Sequence, residues 1–463
     1  MESAKLIANL TVHFVQMVKK ILEAVAGFGE TYDAATLEEF VSEQTRALGA
    51  VVLEYCWVLR CRESGRPRSV ACPCGRRRAF KGRIERSIRT TLGPMNLPER
   101  FRYRCVVCGG ETILGDELRG EGDFSELAER LIAYAGQAVG GMFAQASKTL
   151  KRFLGLEVCG KTVESICLRR GRRVIAAEER AVAAPHEVKP EENPRRIAVG
   201  VDGSLIGRVD PAHRRRSSAK NGKVSGKGKL ANFWKEVKTC VVYAIDAAGK
   251  ATGRKTYYST QAPHDVFGHK VVTEALRRGL HTASEVVFLG DGAKWIWNLC
   301  AREFPKAVQV LDWYHAVEHL WEVGRAHFGE TSELLTPWVK AREGELYEGR
   351  TETVIAAIRA MAKKAGMAPK GTAETDPRLI LQRNVGYFTD NSSRMKYPEY
   401  RKRGIPTGSG VVESACRHVV ASRLKGPGMR WDEEGAEAIL HLRTLELSDR
   451  WDAFWEKSLA GAA

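Results

Sequence analysis

The segment Arg196-Ile-Ala-Val-Gly-Val-Asp202-Gly203-Ser204 decides how the whole sequence is interpreted. Its apolar, β-branched residues predict a buried strand, which we expect to end at the carboxylate that precedes a glycine. The same pattern returns in Ser284-Glu-Val-Val-Phe-Leu-Gly-Asp291-Gly292. A buried strand is a rigid support for a metal ligand at its end. Asp202 and Asp291 are therefore candidate ligands, with an ordinary Asp-Gly turn as the alternative for each.

A third candidate carboxylate, Glu413, lies far downstream in Gly408-Ser-Gly-Val-Val-Glu413-Ser-Ala-Cys-Arg417. It stands among apolar residues where a helix is predicted to begin, which favours a site over the surface. The alternative is a surface pair with Arg417, four residues later. Three carboxylates are enough for two Mg²⁺ or Mn²⁺ ions, which take oxygen ligands and retain water, and such a pair cuts phosphodiester bonds. Rivals for the third position are Asp265, Asp312 and Glu318.

Composition and charge indicate a folded protein with a polyanionic partner. The chain of 463 residues corresponds to about three domains, and its 44% hydrophobic content is sufficient for real cores. The net charge of +17 favours nucleic acid. Anionic membrane is the rival partner, but the sequence contains no run of 18 apolar residues. Residues 1–20 have helical spacing, and their lysines fall too late for a signal peptide, so we expect a cytoplasmic, nucleoid-associated protein.

Four of the eleven cysteines form two close pairs, each followed by glycine. The pairs are Cys72-Pro-Cys74-Gly75 and Cys105-Val-Val-Cys108-Gly109. Since an odd cysteine count in a chain without a secretion signal argues against a disulfide framework, the pairs predict a zinc ribbon with one structural Zn²⁺. The first pair is one residue shorter than the usual Cys-x-x-Cys. Four unliganded structural cysteines are the alternative.

The remaining segments predict an ordered series of elements. Residues 143–153 and 163–174 indicate two helices joined by a turn, which fits a DNA-binding helix-turn-helix and an ordinary helical hairpin equally well. After a proline-rich linker, three strands in a meander, a helix and the strand before Asp291 follow the order of a ribonuclease-H-like fold. Residues 316–400 are almost wholly helical in pattern. The stretch 210–232, rich in Gly, Ser, Lys and Arg, predicts a mobile loop.

Cations and aromatic residues flank the candidate carboxylates. Cations spaced along a helix beside a metal site predict contacts with the backbone of a DNA end. A tryptophan beside them can stack on an unpaired base, although a place in the core is the more usual role. The residues are Lys294, Trp297, Arg417, Arg423, Lys425 and Arg430.

Several longer strings resemble bacterial insertion-sequence transposases of the ISKra type, which are DDE enzymes near the Mutator-like group. The resemblance covers most of the chain and is densest after Arg196. It rests on Val201-Asp-Gly203, Trp234-Lys-Glu-Val-Lys238, Gly290-Asp-Gly-Ala-Lys-Trp-Ile-Trp-Asn298, Leu311-Asp-Trp-Tyr-His-Ala-Val-Glu-His-Leu-Trp321, Gly408-Ser-Gly-Val-Val-Glu-Ser-Ala-Cys416 and Arg423-Leu-Lys-Gly-Pro-Gly-Met-Arg-Trp431.

The resemblance implies a DDE triad of Asp202, Asp291 and Glu413 that holds two Mg²⁺ ions. The implied activity is cleavage at the element ends followed by transfer of the 3′-hydroxyl into target DNA, with a homodimer or larger assembly on DNA. Asp312-x-x-His315 would correspond to the signature after the second aspartate, with His315 against the transposon end. The alternative for this motif is a helix-capping Asp312 and a packed His315.

Two other functions remain open on the same residues. One is a ribonuclease-H-like nuclease or resolvase that does not transfer strands, and the other is a non-catalytic, domesticated DNA-binding protein. The predicted organisation is a mixed-sheet α/β core that is divided in the sequence, interrupted by helices and preceded by smaller modules. Its segments are a helical region (1–66), a zinc-ribbon-like module (67–118), a helical region with the helix-turn-helix candidate for DNA binding (119–184), a linker (185–195), the first core segment (196–320), a helical insertion (321–405) and the second core segment with the C-terminal helices (406–463).

Overall fold

The computed structural model describes most of the chain, in the ranges 2–27, 34–64, 66–97, 100–115, 122–209, 233–408 and 410–460. It is a mixed α/β protein with two compact units, Met1–Cys167 and Leu168–Ala463. The loop predicted at 210–232 lies outside the described residues. None of the helices in these ranges combines the length and hydropathy that a bilayer crossing requires.

The first unit begins with two long helices and continues into a small β module. Four of its strands pair antiparallel in the order β1-β2-β5-β6, and β3 and β4 form a separate hairpin. Strand β5 alternates with a period of two, since Phe101 and Tyr103 are buried and Arg102 and Arg104 are exposed. The elements are α1 (Glu2–Gly27), α2 (Ala34–Ser64), β1 (Ser69–Ala71), β2 (Arg77–Arg83), β3 (Ser87–Thr90), β4 (Gly93–Asn96), β5 (Phe101–Arg104) and β6 (Glu111–Leu114).

Three further helices follow the β module, namely α3 (Glu126–Ala138), α4 (Phe143–Leu154) and α5 (Gly160–Ala183). Helix α4 ends at Gly155, whose φ of 62° lies in the left-handed region that glycine adopts readily. The predicted succession of helix, turn and helix is therefore confirmed as secondary structure.

The second unit is built on a five-stranded sheet in the order β11-β10-β7-β8-β9. Strands β7, β8 and β9 form the predicted antiparallel meander, and β10 and β11 run parallel to β7. Helices α6 and α7 follow β9 and β10 along the chain. The elements are β7 (Arg196–Arg208), β8 (Phe233–Ile245), β9 (Ala251–Thr260), α6 (His264–Arg277), β10 (Glu285–Gly290), α7 (Lys294–Glu303) and β11 (Val308–Leu311).

The chain after β11 is almost wholly helical, as the sequence predicts. A π-helical turn, Cys416–Ala421, separates α13 from α14. The helices are α8 (Trp313–Phe328), α9 (Leu335–Tyr347), α10 (Thr351–Ala365), α11 (Pro377–Asn391), α12 (Tyr397–Lys402), α13 (Gly410–Ala415), α14 (Ser422–Leu424), α15 (Glu433–Leu447) and α16 (Trp451–Ala460).

The division between the two units falls inside α5, ahead of the proline-rich linker that the sequence suggests as the clearest boundary. The carboxyl half of α5 belongs to the second unit because it packs there. Gly171 lies so close to Ala438 of α15 that a β-carbon would overlap it. The linker is also attached to the second unit, since the amide of Glu191 donates to the carbonyl oxygen of Arg277, at the end of α6, at 2.7 Å.

Candidate functional site

Asp202 and Asp291 occupy equivalent positions on two neighbouring parallel strands. The last paired residues of β7 and β10 are Gly200 and Leu289. Asp202 and Asp291 each follow two residues later. Parallel strands present their carboxyl ends at the same edge of a sheet, so the pairing brings both aspartates to one edge.

Asp312 extends this alignment to the next strand. Leu311 pairs with Gly290 at the end of β11 and β10, and Asp312 and Asp291 are the next residues. The amide of Asp312 donates to the carbonyl oxygen of Gly290 at 2.9 Å, which continues the ladder by one bond. Three parallel strands therefore carry aspartates at one edge of the sheet.

Asp202 is a half-buried carboxylate beside a like charge. Burial raises its pKa, and the negative charge of Asp291 adds to this effect. Hydrogen bonds from the Cys416 thiol and the Gly203 amide, together with nearby His315, act in the opposite direction. A carboxylate in low dielectric beside another is stabilised by a cation. The electrostatics of Asp202 therefore suit a bound metal.

The thiol that donates to Asp202 comes from the π-helical turn. Cys416 is buried, and burial followed by the Asp202 charge raises the pKa of its thiol well above the ordinary value. Its sulfur therefore remains protonated and acts as a donor. The apolar neighbours of Cys416 in the sequence indicate only a small core residue, and no spacing rule pairs it with a residue more than two hundred positions earlier.

The carboxylate of Asp291 is oriented by its own turn. Its Oδ1 accepts a hydrogen bond from the amide of Ala293 at 2.8 Å. Gly292, between them, has a φ of 104°, a conformation that few other residues adopt. The Asp-Gly pair is thus both a turn and a support for the carboxylate, and the two interpretations of this motif do not exclude each other.

Glu413 lies in a compact group with Asp312 and His315. One ligand atom from each of these three residues can be chosen so that all lie within 4.8 Å of one another. Asp312 is fully buried and caps α8, where its Oδ1 accepts from the amide of His315 at 2.8 Å. The ring Nδ1 of His315 lies 3.3 Å from the Glu318 carboxylate. Among the described residues, Asp202 and Asp291 do not belong to this group.

Glu413 reaches the sheet edge because Gly200 has no side chain. A β-carbon at Gly200 would lie 3.0 Å from the side chain of Val412, in α13, and 3.3 Å from that of Val241 in β8. Helix α13 therefore packs directly on the centre of β7. This close approach carries Glu413 to the end of the sheet where the aspartates lie.

The predicted DNA-contacting side chains divide into exposed and buried sets. Arg423 is only 1% exposed, with its guanidinium 5.0 Å from the centre of the Trp431 ring. Trp297 is 6% exposed and is covered by the guanidinium of Arg394 at 4.5 Å. These two side chains are part of the core in this structure. The exposed set is Lys294, Arg417, Lys425 and Arg430.

The four clustered cysteines of the first unit form a second candidate metal centre. One sulfur from each lies within 4.8 Å of all the others. The Cys72 sulfur is 3.5 Å from that of Cys108, and the Cys74 sulfur is 3.7 Å from that of Cys105. Amides of Cys108 and Val107 donate to Cys105 and lower the pKa of its thiol to about 6. The spacing of the four sulfurs suits Zn²⁺.

The two cysteine turns show how the shortened first pair is accommodated. In the second turn, the amide of Gly109 donates to the carbonyl oxygen of Cys105, four residues earlier, at 3.0 Å. In the first turn, the amide of Gly75 donates to the carbonyl oxygen of Cys72, three residues earlier, also at 3.0 Å. Both glycines have positive φ, 71° and 81°. The first turn is thus one residue tighter but closes in the same way.

Comparison with known proteins adds no identification, because neither a family model nor a curated protein matches the chain.

Proposed function

We propose that this protein is a DDE transposase of an insertion sequence, which cuts the ends of its element and joins the freed 3′-hydroxyl to target DNA. The observation that carries the proposal is the in-register alignment of Asp202 and Asp291 at the carboxyl edge of a parallel strand pair. The packing of α13 on β7 supports Glu413 as the third member. The proposal agrees with the resemblance of the sequence to ISKra-type transposases.

A ribonuclease-H-like core belongs to the same proposal. An antiparallel meander followed by two strands parallel to its first strand is the strand order expected of that fold, and β7 to β11 have this order. In this interpretation, the segment 321–405, which begins within α8 and contains α9 to α12, interrupts the core, and α13 to α16 complete it.

The donor set fits a pair of magnesium or manganese ions. Asp202, Asp291 and Glu413 would hold them. Asp312 and His315 lie beside Glu413, with ligand atoms within 4.8 Å of one another. All but one of these donors are carboxylate oxygens, which Mg²⁺ prefers. Burial, together with the charge of Asp291, raises the pKa of Asp202, and a bound cation would favour the ionised carboxylate there. When bound, two such ions activate the attacking oxygen and stabilise the leaving one.

The protein's own side chains would bind and orient the DNA. The exposed cations Lys294, Arg417, Lys425 and Arg430 surround the carboxylates in sequence and would contact phosphates, which fixes position without reading bases. His315, at the start of α8, would lie against the cleaved end. Because two ends must meet before transfer, the active form would be a homodimer or larger on DNA at the bacterial nucleoid.

Neutralising Asp202 tests the proposed activity. We expect Asp202→Asn to abolish Mg²⁺-dependent cleavage of an element end while DNA affinity changes only a few fold, because the neutral amide cannot supply the negative charge of a carboxylate that would hold the metal. Asp246→Asn is the matched control, since Asp246 lies in the β8–β9 turn at the other end of the meander. Cleavage by Asp202→Asn at the wild-type rate would reject the assignment.

Strand transfer separates a transposase from a nuclease on the same residues. A DNA end that already carries a free 3′-hydroxyl should be joined to plasmid DNA by the wild-type protein and not by Asp202→Asn. Cleavage without joining would support a nuclease or resolvase. DNA binding with neither reaction would support a non-catalytic protein.

We also propose that Cys72, Cys74, Cys105 and Cys108 bind one structural zinc ion. The close packing of the four sulfurs supports a tetrahedral thiolate site. Purified Cys105→Ser should contain about one zinc fewer per chain than wild type, as measured by elemental analysis. Cys159→Ser, an exposed thiol outside the group, is the control and should keep its zinc. Equal zinc in both variants would contradict the site.

A further inference from the structure

Three tyrosine hydroxyls of the helices after β11 bind main-chain oxygens at the carboxyl end of β10 and β11. Each comes from α11 or α12; Tyr397 and Tyr400 are buried, and Tyr387 is half-buried. The pairs are Tyr387 with Asp291 at 2.8 Å, Tyr397 with Leu311 at 3.3 Å and Tyr400 with Gln309 at 2.9 Å. Of the three, the Tyr387 hydroxyl binds a candidate metal ligand directly.

The Tyr387 ring lies against the turn that carries Asp291. A β-carbon at Gly292 would overlap the ring, so only glycine admits this packing. The ring also stacks on the imidazole of His319, with centroids 3.6 Å apart and planes 25° apart. The tyrosine is therefore held between α8 and the end of β10.

A polar network centred on a buried asparagine fixes the imidazole that supports Tyr387. The Nδ1 atom of His319 lies 2.7 Å from Oδ1 of Asn384, a fully buried side chain of α11. The Asn384 amide donates to the Glu322 carboxylate at 2.9 Å and to the carbonyl oxygen of Ile380 at 2.9 Å. Such buried networks are costly unless satisfied and rigid when they are, so the ring of Tyr387 has little freedom to move.

The Tyr387 hydroxyl acts as the donor in this hydrogen bond, because a main-chain carbonyl oxygen can only accept. The main-chain oxygen of Asp291 is thus bound by Tyr387 while its carboxylate is bound by the Ala293 amide. The Asp291 turn is clamped at both its main-chain and side-chain oxygens.

We propose that Tyr387 is a positioning residue that orients Asp291 for metal binding. The inference rests on the proposed function, since Asp291 is a ligand only if the carboxylate edge binds metal. Without the hydroxyl, the peptide between Asp291 and Gly292 can rotate, because glycine restrains it weakly. Groups that orient metal ligands typically change metal affinity by about 10–100-fold when removed.

The test is Mn²⁺ binding to the full-length, zinc-loaded protein, measured by the electron paramagnetic resonance signal of free Mn²⁺. We expect Tyr387→Phe to weaken binding by about tenfold, the lower end of that range, and cleavage to recover at higher Mn²⁺. Tyr400→Phe is the matched control, because it also removes a buried hydroxyl from a main-chain oxygen, that of Gln309. It should bind Mn²⁺ as tightly as wild type.

The outcomes distinguish a role of Tyr387 in orienting Asp291 from a general role in the stability of the fold. Equal Mn²⁺ affinity in Tyr387→Phe and wild type overturns the positioning role and leaves the proposed function intact. Equal losses in Tyr387→Phe and Tyr400→Phe assign a general structural role and also overturn it. If wild type and Asp202→Asn bind Mn²⁺ equally well, the proposed function fails and the inference fails with it. Should Tyr387→Phe not fold, His319→Leu replaces it, because the imidazole that stacks on the Tyr387 ring is then lost; unchanged Mn²⁺ affinity in that variant overturns the positioning role.

Discussion

Glu274 is the clearest case in which one residue's environment determines its charge. The Glu274 side chain is 2% exposed, and its two oxygens accept hydrogen bonds from Arg450 at 2.7 and 3.0 Å and from Arg277 at 3.1 Å. Burial by itself would raise the pKa of Glu274, but Arg450 and then Arg277 outweigh it and lower the pKa to about 2. The folded protein therefore binds a proton at Glu274 less readily than the unfolded chain does.

This depression predicts how stability depends on pH. The ordinary pKa is 4.5, so the stabilisation by Glu274 is complete above that value and is lost as the pH falls towards about 2. The loss is on the order of 3 kcal/mol. We expect Glu274→Gln to lower the thermal midpoint at pH 6 and to melt with a shallower dependence on pH between about 5 and 3. Parallel pH profiles for the variant and wild type would contradict the coupling.

At the scale of elements, β7 shows what the sequence pattern does and does not predict. The predicted end of the strand at Asp202 was wrong, because β7 continues to Arg208, which pairs with Phe233 of β8. The apolar run ends at Asp202 because the parallel neighbour β10 ends there. Beyond Asp202, the residues of β7 are on average less buried. Hydrophobicity therefore marked the end of the buried part of the strand, and the end of hydrogen bonding lay six residues further on.

The π-helical turn before α14 shows why helical periodicity in the sequence can fail to predict which side chains are exposed. The sequence grouped Arg423 with Arg417, Lys425 and Arg430 as cations spaced along one helix. The π-helical turn Cys416–Ala421 adds residues to a turn and rotates everything after it. Arg423 consequently faces Trp431 and the core, while Lys425 stays exposed. No pattern in a single sequence predicts a π-helical turn. The Asp-Gly and Cys-Gly motifs, by contrast, predict turns, because glycine readily adopts positive φ.

At the scale of the whole molecule, the chain has a net charge of +17. Some of its basic side chains are exposed to solvent, and others are buried. Only exposed cations can neutralise phosphates and release counterions, which makes DNA affinity fall as salt rises. Lys425 is exposed, and its ammonium donates to the Ser204 hydroxyl at 2.5 Å, two residues after Asp202. It therefore places one positive charge beside the proposed metal centre.

Lys425→Ala and Arg423→Ala should separate these two kinds of cation in one experiment. We expect Lys425→Ala to reduce the slope of log affinity against log salt by roughly one unit, with an unchanged thermal midpoint. Arg423→Ala should lower the midpoint by several degrees and leave the slope unchanged, because it removes a buried side chain beside Trp431. Affinities at about 50 to 300 mM KCl and melting curves on the same samples provide both readouts. A reduced slope with normal melting in Arg423→Ala would mean that this guanidinium leaves Trp431 and contacts DNA.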